Sequence, residues 1–162
     1  MWSAYPGRSR PINADEAGFV RIEGIVGSKG PIVDVEIGLL PSEVERRRLE
    51  GQIVLPPDRT RGIIDTGSVT TCIRPSVAER LLLVPVREAL LQTASGERPS
   101  AVYPLTLTLG WRQDRPPDPI MVTAHTADIV GADVLIGLDV LRRGRLAIDG
   151  PNNRFELLLP RN

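Results

Sequence analysis

Short runs of alternating apolar and polar residues, each closed by a turn signal, constrain this chain more than any other feature. Ile32-Val33-Asp34-Val35-Glu36-Ile37 alternates cleanly with its acids on one face, the period of a half-buried strand. Phe19-Val20-Arg21-Ile22-Glu23-Gly24-Ile25-Val26 alternates more loosely, and Gly27-Ser28-Lys29-Gly30-Pro31 turns the chain between the two. Further strand-like runs occupy residues 52–55, 60–64, 69–73 and 119–124. Residues 89–95 and 101–109 read as a long hairpin about the polar segment 96–100. Residues 145–148 and 154–159 read as a second hairpin about the turn Asp149-Gly150-Pro151-Asn152-Asn153. Helical signals are few. Residues 41–50 carry Ser42 and Glu45 at capping-box spacing with Gly51 as a stop, and Pro75 suits the first position of a helix over 75–82. Asp139 can N-cap a short helix ending at Gly144. The expected class is mainly β, closed or sandwiched, with one or two short helices.

A length of 162 residues fits one domain with a real core. Residues 1–18 show no period and read as an N-terminal extension, leaving 19–162 as the domain. Charged residues make up 25% with a formal net charge of zero, and aromatic residues only 4%. Neither a nucleic-acid partner nor an anionic membrane surface fits that balance. Arg46-Arg47-Arg48 is matched by three nearby Glu residues, so it reads as a solvated helix face. Cys72 is the one cysteine and His125 the one histidine, which excludes a disulfide framework, a Cys-based zinc site and a His cluster. No metal or cofactor is expected. Cys72 lies in a β-branched run and reads as a small buried hydrophobe, while His125 reads as a polar residue at a strand end. The Gly-Ser-Lys-Gly run leads into a strand and lacks phosphate-loop spacing. No secretory leader or membrane-length apolar run occurs, so a soluble cytoplasmic protein is the expectation.

The chemistry-bearing stretch is Gly62-Ile63-Ile64-Asp65-Thr66-Gly67-Ser68. Two apolar residues feed an acid at the mouth of a Thr-Gly-Ser turn. Gly67 can adopt a positive φ and present its N–H to the acid, and Thr66 and Ser68 add hydroxyl donors. A carboxylate held this way stays ionised while a neighbour keeps its proton. The same residues also fit an ordinary turn at the end of a strand.

A second element, Val134-Leu135-Ile136-Gly137-Leu138-Asp139-Val140-Leu141, lies far downstream. The pair, in this order, with a strand and short helix after Asp65 and a hairpin between them, resembles the retropepsin-like aspartic proteases. The resemblance covers about residues 19–160 and is closest to bacterial and cellular members. It implies a closed β-barrel of the acid-protease type, active as a two-fold homodimer, with Asp65 of each chain forming a catalytic dyad. Chemistry asks for the same thing, since peptide hydrolysis by this route needs two carboxylates and the chain has one Asp-Thr-Gly unit. The resemblance further implies that Thr66 bonds across the dimer and that the Gly67 N–H orients the carboxylate. Ser68 stands where many viral members carry Ala, and its hydroxyl is expected to donate to Asp65 and move the optimum toward acid. Ala94, Ser95, Gly96 and Glu97 occupy the place of a flap over a peptide or protein substrate bound extended. Gly137 is expected to allow close packing beneath the active loop and Asp139 to cap the helix. Residues 155–159 fit either an intersubunit sheet or a strand within one chain.

This chain departs from the viral pattern in three places. An inserted segment fills about residues 39–59, Leu138 replaces an Arg that braces viral dimers, and the flap tip has a single Gly. Two functional readings follow: an aspartic endopeptidase, or a dimerisation or peptide-binding module of the same fold with little or no turnover.

Overall fold

The computed structural model describes residues 18–112 and 118–161. Most of the expected N-terminal extension and residues 113–117, within a stretch from Trp111 to Pro119 whose Pro and Asp content reads as a loop, lie outside the described residues. Within them the chain is mainly β, with ten strands and three short helices. The strands are β1 (Phe19–Gly27), β2 (Gly30–Gly38), β3 (Asp58–Ile64), β4 (Cys72–Ile73), β5 (Arg87–Thr93), β6 (Gly96–Leu109), β7 (Ile120–Thr126), β8 (Val134–Ile136), β9 (Arg145–Asp149) and β10 (Arg154–Pro160). The helices are α1 (Pro41–Leu49), α2 (Pro75–Arg80) and α3 (Leu138–Leu141).

The pairing order is β5-β6-β7-β4-β8-β3-β2-β1-β10-β9, and β6 also pairs with β2. Alternation explains the core. Val33, Val35 and Ile37 of β2 turn inward and are buried, as are Leu105, Leu107 and Leu109 of β6. These join Ile64, Ile73, Val134, Ile136, Val140, Phe155 and Leu157 in one apolar cluster.

One crossing matters most for the site. β8 lies parallel to β3 in the register Gly62↔Val134, Ile63↔Leu135, Ile64↔Ile136. On its other edge β8 pairs antiparallel with β4, Cys72 opposite Leu135. The chain therefore leaves the sheet after Ile64, passes over the end of β8 and returns as β4. Gly62 suits the crossing because a Cβ there would stand 2.9 Å from Val35 Cγ2 and 3.1 Å from Ile136 Cδ1.

Several local expectations need correction. The N-cap of α1 is Leu40, with Pro41 in the first turn, and no side chain caps the helix, so the Ser42–Glu45 capping box does not form. Glu43 instead bonds Arg46 and Arg47. Residues 52–55 form no strand. Residues 96–100 belong to β6 rather than to a loop, pairing down the hairpin from Thr93↔Gly96 to Ala89↔Ser100. β10 pairs with β1 on one edge and β9 on the other, so residues 155–159 lie inside one chain's sheet.

Candidate active site

Asp65 is the first residue after β3 and is half-buried at the crossing. Its N–H donates to Ile136 O at 3.0 Å, and its carbonyl accepts from the Ser68 N–H at 3.2 Å, closing the turn. The Gly67 N–H donates to Asp65 Oδ1 at 2.9 Å. Gly67 does this without a positive φ. What its lack of a side chain provides is space, since a Cβ would lie 3.2 Å from Asp65 Oδ1. Ser68 is turned away from the acid, its hydroxyl donating to Thr70 O at 2.6 Å. The expected Ser68–Asp65 bond is therefore absent, and with it the reason to assign Ser68 an acid-shifting role. Thr66 is exposed, and its hydroxyl finds no partner among the described residues.

Beneath the turn lies a brace that local sequence patterns do not reveal. Asp139 Oδ2 accepts the Thr71 N–H at 3.0 Å, and Oδ1 accepts the Thr71 hydroxyl at 2.8 Å. The Gly137 N–H in turn donates to Thr71 Oγ1 at 3.3 Å. The N-cap of α3 is Gly137, so Asp139 sits inside the first turn rather than capping it. The helix's leading donors find the loop instead: Leu138 N–H bonds Ser68 O at 2.9 Å and Asp139 N–H bonds Val69 O at 3.2 Å. Gly137 packs directly under this loop. A Cβ there would lie 2.5 Å from Thr70 C and 2.6 Å from Thr70 O.

One face beside Asp65 is apolar. Ile63, Cys72, Ile129 and Ala132 form a second buried cluster, with Leu91 of the hairpin, Ala127 and Leu135 against it. Ile63 precedes Asp65 by two residues, the spacing that keeps two side chains on one side of a strand. Cys72 is buried, with Sγ 3.6 Å from Thr70 O. Burial pushes its thiol pKa up, and the negative charges of Asp139 and Asp65 add to that. His125 is the sixth residue of β7, buried, and in register with Cys72. Its Nδ1 has no hydrogen-bond partner among the described residues. Burial lowers the imidazole pKa, the Arg87 charge lowers it further, and Asp139 opposes both.

The hairpin turns tightly at Ala94-Ser95, between Thr93 and Gly96, whose φ is +105°. The Thr93 hydroxyl donates to Gly96 O at 2.6 Å and fixes the tip. A cavity of about 670 Å³ separates the hairpin from the end of β7, walled by Leu91, Thr93, Ser95 and Arg98 on one side and by Ala127 and Asp128 on the other. A larger opening of about 730 Å³ lies elsewhere, beside Trp111, whose ring packs under the Arg59 guanidinium at 4.3 Å. None of the Asp65 loop lines it. Among the described residues no three His, Cys, Asp or Glu side chains group as a metal site, and no helix is long and apolar enough to cross a membrane.

Neither a family model nor a curated protein matches the sequence. Among solved structures, the simian foamy virus (mac) protease is similar, with a TM-score of 0.40 and 18% identity over 67% of this chain and 88% of that one.

Proposed function

We propose that the chain is an aspartic endopeptidase of the retropepsin type that works as a homodimer, with Asp65 and Asp65 of a second copy sharing one proton. The observation that carries this reading is the Asp65 carboxylate, held by the Gly67 N–H at 2.9 Å on a turn pinned to β8 and α3 yet left half-exposed. The circuit of pairings through β2, β3, β8, β4, β7 and β6 supports the closed barrel of that class.

In this reading the ionised carboxylate takes a proton from a water, whose oxygen attacks the peptide carbonyl. The protonated carboxyl gives its proton to the carbonyl oxygen. The resulting diol collapses as the dyad gives its proton to the leaving nitrogen and takes one from a diol hydroxyl, breaking the C–N bond and returning the dyad to one shared proton. The free Thr66 hydroxyl is available for the partner's loop. An extended peptide would lie between the dyad and residues 94–97 of the hairpin, its apolar side chains on the Ile63–Leu135–Ala132 face. A soluble, cytoplasmic setting suits a chain with a free buried thiol.

The test is cleavage of an unstructured protein, such as reduced and alkylated casein, from acid to neutral pH. Asp65→Asn is expected to abolish cleavage while leaving the circular dichroism spectrum and the dimer mass unchanged. Equal inactivity of wild type and variant would replace this reading with a non-catalytic peptide-binding module.

A further inference from the structure

The sheet has two ends, and they differ in what they offer a second chain. β10 is saturated on both edges, whereas β9 has one edge paired with β10 and, among the described residues, no strand on the other. From the sequence of β9, Arg145-Leu146-Ala147-Ile148-Asp149, and its place at the sheet's end, we infer that this edge is where two copies join, β9 against β9 across a two-fold axis. The inference rests on the dimeric reading above and names the surface that reading requires.

The strand is complementary to itself. In an antiparallel pair centred on Ala147, Arg145 stands opposite Asp149 of the second copy, Leu146 opposite Ile148, and Ala147 opposite Ala147. Each opposite-charge and each apolar pair then occurs twice, as an isologous contact demands. The free chain shows matching vacancies. Arg145 has no partner among the described residues. Ile148 is 55% exposed although its row across the sheet, Gly24–Phe155–Ile148, continues into buried Phe155. Leu146, in the row Ile22–Leu157–Leu146, packs on the main core. Self-pairing sets Leu146 of the second copy beside Ile148 and extends both rows. A long edge with an apolar centre is a liability unless something covers it.

The other end, β5, lacks this symmetry. Paired with itself about Leu90 it would set Glu88 opposite Gln92 and Arg87 opposite Thr93, with no opposite charges.

β9 is also tied closely to the site. α3 starts on the Asp65 loop through the Leu138 and Asp139 N–H groups, and Gly144 leads from it into β9. A Cβ at Gly144 would lie 1.9 Å from Leu158 O, so this entry has no slack. Pairing at β9 therefore bears, through α3, on the loop that carries Asp65.

Sedimentation equilibrium on the full chain tests this with Arg145→Asp and Asp149→Arg. Each alone sets like charges opposite each other twice and is expected to weaken the dimer on the order of tenfold. Mixed in equal amounts, the two variants carry only acids on one strand and only bases on the other, so a tight heterodimer and cleavage are expected to return. A mixture that associates no better than its components overturns the inference. Asp149 also accepts two bonds from Asn152, so Asp149→Arg can disturb the turn. Ile148→Lys, which loses no hydrogen bond, is the second probe and is expected to weaken the dimer as well. A dimer unaffected by Arg145→Asp and Ile148→Lys, with Asp65-dependent cleavage intact, refutes the β9 interface and leaves the catalytic reading standing. A wild type that is monomeric at every concentration and inactive removes both.

Discussion

A methyl group at Gly137 has nowhere to go. Its Cβ would press on the carbonyl carbon and oxygen of Thr70, backbone atoms that the Asp139–Thr71 bonds hold in place. Relief requires moving the Asp65 loop, α3, or both. Gly137→Ala is therefore expected to cost roughly 3 kcal/mol, about 10 °C in melting temperature for a domain of this size. Cleavage should fall further than the remaining folded fraction explains, because the shift is delivered to the loop bearing Asp65. Melting and cleavage measured on one preparation check both parts. The acid and its Gly67 donor were legible in the sequence because they are neighbours in a turn. The brace was not, because Thr71 and Asp139 are 68 residues apart and meet only through the β3–β8–β4 crossing. Ser68 misled for a related reason: a hydroxyl beside an acid has several acceptors in reach, and here Thr70 O wins at 2.6 Å.

At the scale of elements, helix α1 depends on one buried cation. Arg47 is 4% exposed, donates to Glu43 Oε1 at 2.7 Å and reaches Leu82 O at 2.6 Å. Leu82 has φ +51°, a left-handed conformation that leucine rarely takes, and the Arg47 bond helps hold it. Arg47→Met keeps the apolar stem and removes the clasp, with an expected loss of about 2 kcal/mol near neutral pH. Hydrogen bonds from Arg46 and then Arg47 pull the Glu43 carboxyl from 4.5 down to about 2. A carboxyl lowered on folding contributes stability fully above its unfolded value, lost as pH falls toward its folded value. The melting gap between wild type and Arg47→Met should therefore be widest above about pH 5 and narrow toward pH 2. A gap that stays constant would show that Arg47's share of the Glu43 pairing contributes nothing, the Arg46 bonds being present in both proteins.

The strands with clean alternation, β2 and the 105–109 part of β6 above all, were readable from sequence because one face is buried there. Residues 52–55 were misread for the lack of a partner: an apolar run becomes a strand only where a sheet edge receives it, and here the run serves as a connector behind α1. The full length of β6 was not legible because Arg98, Pro99 and Ser100 read as loop residues, although they pair in β6.

For the molecule as a whole, the decisive quantity is how many acids one site needs. Asp139 is committed to Thr71, and Asp58 and Asp133 are bonded by Arg80. Asp65 stands without a second free acid in its own loop, so in the proposed mechanism the second acid comes from another chain. Mixing tests this directly. If wild type and Asp65→Asn exchange subunits at random, only pairs of wild-type chains keep two acids, and activity follows the square of the wild-type fraction. An equimolar mixture is then expected to retain about one quarter of the activity of wild type at the same total concentration. Were each chain to carry a complete site, the mixture would retain about one half. Subunit exchange has to be complete for the comparison to hold, which co-refolding of the mixed chains ensures. A linear fall with added Asp65→Asn would place both catalytic acids in one chain and end the shared-dyad account, whatever surface joins the dimer.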